Sequence, residues 1–292
     1  MSTNNNVKIT GSAPSKGIAR RVAGVDPGMS LTMGTGPLAF ANRERFNTDL
    51  SDAPKHLLYL HDVDKRIRGV LAGQTVVDTR NGKLLHESAM LPQWYLPLTD
   101  IRSDLLVESD SITHCPFKGD ASYYSLRVDD RLVEDAIWTY RTPLPEASWL
   151  DGLAGFYFDR LDSWYQEDDE VFGHPRDPFH RVDTHRTSRH VSVRAGAETV
   201  ADTRRAIALF ETGLEVRYYL PAEDVATDLL APSQTSSLCP YKGTAGYRSL
   251  TVGAQTVVDA ARSYAVPFAE ASEIAGYVSF DGSGIEVLVT DD

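Results

Sequence analysis

Apolar and polar residues alternate over short stretches along most of this chain, and glycine, proline or paired aspartates interrupt the alternation at close spacing. Val191 and Val193 stand between polar neighbours, a turn follows at Gly196, and β-branched residues resume at Thr199 and Val200. That pattern predicts a hairpin, and the segment from Arg66 to Arg80 repeats it. Leu84-Leu85-His86-Glu87 and Ala208-Leu209-Phe210-Glu211 predict a strand, and Trp94 to Pro97 and Tyr218 to Pro221 predict another that the proline ends. Tyr123 to Val128 and Val133 to Tyr140, joined by Asp129-Asp130-Arg131, read as strand, turn, strand. Helical periodicity is confined to short turns around Asp100 and Asp104 and around Asp224 and Asp228. The chain is therefore expected to be mainly β, with small antiparallel β-barrel-like domains and minor helix.

These elements occur twice. Cys115-Pro-Phe-Lys-Gly-Asp-Ala-Ser-Tyr-Tyr-Ser-Leu126 returns as Cys239-Pro-Tyr-Lys-Gly-Thr-Ala-Gly-Tyr-Arg-Ser-Leu250, 124 residues later. The same offset aligns residues 70–147 with 194–271 without a gap, the signature of an internal duplication. Beyond that span, Gly155 is matched to Gly276 by admitting a three-residue slip. The reading divides the chain into an N-terminal arm (1–62), a first repeat domain (63–170), a linker (171–188) and a second repeat domain (189–292). A glycine-rich stretch at Gly34 lacks the Lys-Ser/Thr ending of a phosphate loop and reads as surface loop. The linker histidines His174 and His180 read as too isolated for a metal site.

Composition narrows the function classes. Forty-two per cent hydrophobic and 24% charged residues are ordinary for a globular protein, and a net charge of −12 disfavours nucleic acid and anionic membranes as partners. No apolar run reaches the length of a membrane span, and the N-terminus shows no secretory signal, so a cytoplasmic protein is expected. The two cysteines, Cys115 and Cys239, hold equivalent positions and are expected as free thiols. Neither metal nor cofactor is expected.

The candidate chemistry sits on the duplicated motif. Pro116 makes Cys115 extended and Gly119 permits a turn, so Cys115 and Lys118 should flank a bend entering a strand. Alternation then puts Ala121, Tyr123 and Ser125 on one face, against Leu126 and Val128 in the core. Lys118, Cys115, Tyr123 and Asp135 are the candidate catalytic residues. Ser125, Tyr140, Trp138 and Glu87, with Lys242, Cys239, Tyr247 and Ser249 of the second repeat, are candidates for substrate binding. Alternatives stay open for each. Cys115 is a thiolate nucleophile or a small buried hydrophobe. Lys118 is a functional cation or the partner of Asp135 or Glu87 in an ion pair that fixes the fold. Tyr124 and Trp138 give way to Arg248 and Arg262 in the second repeat, which predicts two unequal sites, the first being the main one.

The Cys-Pro-aromatic-Lys-Gly-x-Ala-x-Tyr run resembles the domain of unknown function 427 family. So do the preceding Tyr-Leu-Pro-x-x-Asp and the following Val-x-Asp-Ala-x-x-x-Tyr, and the resemblance spans both repeats. It implies a compact, mostly β domain of bacterial and fungal proteins, sometimes labelled nucleotidyltransferase-like, and carries no activity with it. The expected function is a metal-independent enzyme acting on a small polar or anionic metabolite. The alternatives are a non-catalytic small-molecule binding module and a structural or interaction protein.

Overall fold

The computed structural model describes residues 56–88 and 90–291. Of the expected arm, residues 1–55, with the Gly34 stretch, lie outside the described residues. The described chain separates into two compact units that divide between Asp177 and Pro178.

The first unit carries β1 (Leu58–Asp62), β2 (Ile67–Leu71), β3 (Gln74–Thr79), β4 (Lys83–Glu87), β5 (Gln93–Pro97), β6 (Leu106–Cys115), β7 (Gly119–Val128), β8 (Arg131–Thr139), β9 (Leu153–Phe156), β10 (Ser163–Gln166) and β11 (Asp169–Val171). Seven of them form one sheet in the order β1-β4-β5-β9-β8-β7-β6, and β11-β10-β2-β3 form a second. All the pairings are antiparallel. Helix is limited to short 3-10 turns such as Pro145–Leu150.

The second unit repeats this plan with β12 (Val182–Arg186), β13 (His190–Ala195), β14 (Glu198–Thr203), β15 (Ile207–Glu211), β16 (Arg217–Tyr219), β17 (Leu230–Cys239), β18 (Gly243–Val252), β19 (Gln255–Tyr264), β20 (Val278–Phe280) and β21 (Ile285–Thr290). Its large sheet is divided into β12-β15-β16 and β17-β18-β19-β20, which an isolated bridge between Leu220 and Val278 joins. The fold is thus mainly β and tandem, as the alternation predicts. Among the described residues the sheets are open, however, and the expected barrel closure is not found. β6 ends the large sheet and is mostly exposed, with Glu108 and Asp110 on it, the kind of charged, bulged strand that tolerates an unpaired edge.

Alternation along the strands builds two cores per unit. Leu84, Trp94, Leu96, Leu126 and Val128 face the main core, whereas Leu85, Tyr95, Ala121 and Tyr123 face a second cluster on the opposite side of the large sheet. The corresponding second cluster of the other unit holds Leu209, Tyr219, Ala245 and Tyr264.

Three boundaries differ from the sequence reading. Residues 58–62 and 182–186, read as arm and linker, are strands β1 and β12, which pair with β4 and β15. The three-residue slip does not occur. Gly155 pairs with Trp138 and Ser279 with Arg262, so the offset of 124 runs on through β9 and β20. Glycine similarity misplaced the match because Gly276 corresponds to Gly152, both with φ near +70°.

Candidate functional site

The site begins with the turn after Cys115. The Lys118 N–H donates to the Cys115 carbonyl, and Gly119 follows at φ +102°, a conformation that favours glycine. Leu144 N–H donates to the Lys118 carbonyl, and Phe268 N–H does the same for Lys242. The lysine backbone is therefore fixed, and its side chain turns inward. Lys118 is 6% exposed, and its Nζ donates to Glu87 Oε2 at 2.5 Å.

Glu87 closes β4, whose register places Leu58 of β1 opposite it. Two residues earlier, His56 reaches back so that its Nε2 lies 3.0 Å from Glu87 Oε1. Ser88 holds the segment between them: Leu57 N–H donates to Ser88 Oγ, and Ser88 N–H to the Leu57 carbonyl. The imidazole stacks on Phe117, with ring centroids 3.8 Å apart. One carboxylate is thus held between an ammonium and an imidazole, under an aromatic lid.

The second unit has the same arrangement. His180 Nε2 lies 3.1 Å from Glu211 Oε1, Lys242 Nζ donates to Glu211 Oε2, and His180 stacks on Tyr241 at 4.2 Å. Thr212 replaces Ser88 and holds the Arg181 amide in the same way. Burial pushes the Glu211 carboxyl up, but the His180 and Lys242 hydrogen bonds and charges outweigh it and hold the group at about 2. In both units the remaining ring nitrogen, Nδ1, has no hydrogen-bond partner among the described residues.

Sequence reading missed His56 and His180. Their signal was the offset itself, since they too are 124 residues apart. One lay in the expected arm and the other was weighed only as a linker metal ligand. Among the described residues, no group of three or more His, Cys, Asp or Glu side chains is placed to hold a metal ion.

Several expected site residues gather beside this trio. Cys115, Tyr123, Tyr140 and Trp138 belong to the second cluster with Tyr95. Burial raises the Tyr95 and Tyr140 hydroxyls well above their ordinary range, so both are neutral donors at physiological pH. Trp138 Nε1 donates to Tyr95 Oη at 3.0 Å, and Tyr123 Oη shares a hydrogen bond with Thr113 Oγ1. Cys115 is half-buried against apolar neighbours, as is Cys239 in its unit. Tyr247 pairs its hydroxyl with Ser237.

Asp135 and Ser125 do a different job. Ser109 to Ser111 bulge opposite Tyr123, and Glu134 to Ala136 bulge opposite Ser125. Asp135 takes φ +48° at the second bulge, its N–H donates to Ser125 Oγ, and Ser111 Oγ donates to its carboxylate at 2.7 Å. The Ser109 and Ser111 hydroxyls hold the Asp135 carboxyl below the usual range. It is an anion that locks two bulges together, and this is where the structure places that candidate catalytic residue. Asp259, Thr235 and Ser249 repeat the lock at φ +55°.

The exchange of Trp138 for Arg262 is a packing exchange, and Tyr124 too has packing partners in the first unit. Arg262 pairs with Asp281, and Tyr124 lies under Arg141, whose guanidinium also pairs with Glu108. Trp138 packs flat on Gly155, where an added Cβ would lie 2.4 Å from the indole, and the second unit has Ser279 opposite Arg262. Gly155→Ala is expected to cost the first unit about 1–3 kcal/mol by overpacking, seen as a lower melting temperature with the second unit unchanged.

The family model described as a domain of unknown function (DUF427) matches residues 59–167 and 183–291. The chain belongs to this family, with two copies of its domain in tandem. The first match opens three residues after His56 and the second three residues after His180, so the histidine of each trio stands just before the matched DUF427 segment. No curated protein matches the chain.

Proposed function

We propose that each DUF427 repeat is an enzyme site for a small polar or anionic metabolite, with His56 or His180 as general base and no metal in the step. The observation that carries this reading is the paired nitrogen pattern. Glu87 accepts from Nε2 and fixes the tautomer, which leaves Nδ1 as the acceptor in both units. As Nδ1 takes a proton, the new positive charge forms beside a carboxylate already in place, and Lys118 keeps that carboxylate oriented through its other oxygen. Lys118 is therefore a positioning residue. The Glu87 oxygen that a metal would use is occupied by the ammonium. The packing of Cys115 supports its reading as a small hydrophobe, so no covalent step is assigned to it.

The test starts from the full chain as purified. Small molecules retained by it are identified by mass spectrometry and offered back as substrates. The His56→Gln/His180→Gln double variant, folded as judged by circular dichroism, is expected to lose about 100-fold or more in turnover, the usual contribution of a general base. Unchanged turnover in that variant would remove the imidazoles from the mechanism.

A further inference from the structure

The second unit has a hollow that the trio does not use. It measures about 690 Å³, within the range of small-molecule sites, and is lined by Arg186, Arg204, Arg205, Glu273, Ile207 and Tyr277. Arg205 is committed to Asp224 and Glu223. Arg186 and Arg204 are exposed, and neither has an ion-pair partner among the described residues. Two uncommitted guanidiniums facing one carboxylate make a local cationic surface on a chain of net charge −12. Glu211 lies at the other end of β15 from Ile207, roughly 13 Å along the strand, so the hollow is separate from the trio.

The first unit shows what the same place looks like without this surface. Asp62 stands where the second unit has Arg186, and Lys83 neutralises it at 2.5 Å. Arg80, the counterpart of Arg204, pairs with Glu167. Asn81 replaces Arg205, and Leu153 replaces Tyr277. The two copies thus differ here, the first with a neutralised surface and the second with a cationic one that has an aromatic residue in its wall.

We propose that this hollow binds a small organic anion. Arg186 and Arg204 hold its phosphate or carboxylate group, and Ile207 and Tyr277 cover its apolar body. Guanidinium forks suit either oxyanion, so the two sources share one recognition chemistry.

The experiment is a titration of the full chain, followed by amide nuclear magnetic resonance, with phenyl phosphate, benzoate and inorganic phosphate. Saturable shifts are expected at Ser188, Arg204 and Tyr277, with phenyl phosphate binding more tightly than inorganic phosphate because only it has an apolar body. The order of phenyl phosphate and benzoate distinguishes a phosphate site from a carboxylate site. Arg186→Ala/Arg204→Ala, a surface change that leaves the fold intact, should weaken binding at least about tenfold, and Arg80→Ala should leave it unchanged. Shifts that do not saturate, or that persist at equal affinity in the double variant, would overturn the proposal. Because the trio is untouched by these substitutions, neither outcome depends on the proposed imidazole chemistry.

Discussion

Lys118→Ala is expected to destabilise the first unit by about 3–5 kcal/mol, the usual cost of removing one partner from a buried ion pair. The lysine and the glutamate side chains are 8% and 9% exposed, so the carboxylate left behind cannot recover its hydration and keeps only the His56 contact. That loss approaches the whole stability of a small domain. A second variant separates stability from chemistry. Glu87→Leu/Lys118→Met replaces both charges with apolar groups of similar size, and most of the lost stability should return. The trio nevertheless loses the carboxylate that fixes the imidazole. The prediction is a folded double variant that keeps only the turnover of the second unit's intact trio, read by chemical denaturation and by turnover of the retained metabolite. If the double variant stays as unstable as Lys118→Ala, the pair is not the isolated buried charge couple described.

The second large effect is a dependence on acid. The Glu211 carboxyl is held at about 2 in the folded second unit, well below the value of about 4.3 for an unfolded glutamate. A group depressed on folding contributes its stability above the unfolded value and loses it as pH falls through the folded value. The second unit should therefore lose on the order of 3 kcal/mol between about pH 5 and pH 2. The largest opposing influence is burial, and the His180 and Lys242 contacts overcome it. Glu211→Gln should flatten this part of the stability curve while lowering its plateau. A wild-type curve with no more acid loss than Glu211→Gln would contradict the assignment.

Local features were legible in the sequence. Alternation placed Ala121 and Tyr123 together and opposite Leu126 and Val128, where the two clusters find them. The sequence leaves Lys118 as a functional cation or as the partner of Asp135 or Glu87, and the Glu87 pair is the one present. What depended on pairing between distant strands was not legible. His56 reaches Glu87 only because β1 lies antiparallel to β4 in one register, and the gapless alignment of 70–147 with 194–271 does not include it. Asp135 looked like a shared acid, and only the two bulges show that it holds backbone together. Closure of the sheets also depends on the edges. No alternation pattern states that β6 ends the sheet.

The central claim is that His56 and His180 present a reactive Nδ1, with Nε2 held by a carboxylate. Its most direct measurement is carbethoxylation of the full chain by diethyl pyrocarbonate at neutral pH, with modified positions located by mass spectrometry. His114, whose side chain is 68% exposed and whose Nδ1 lies 2.6 Å from Asp120 Oδ1, provides the internal reference for a surface imidazole that is itself paired with a carboxylate. Both trio histidines are expected to react in the folded protein, and Glu87→Gln should slow His56 without changing His180. If His56 and His180 remain unmodified while His114 reacts fully, the two trios are structural staples and the proposed chemistry is wrong.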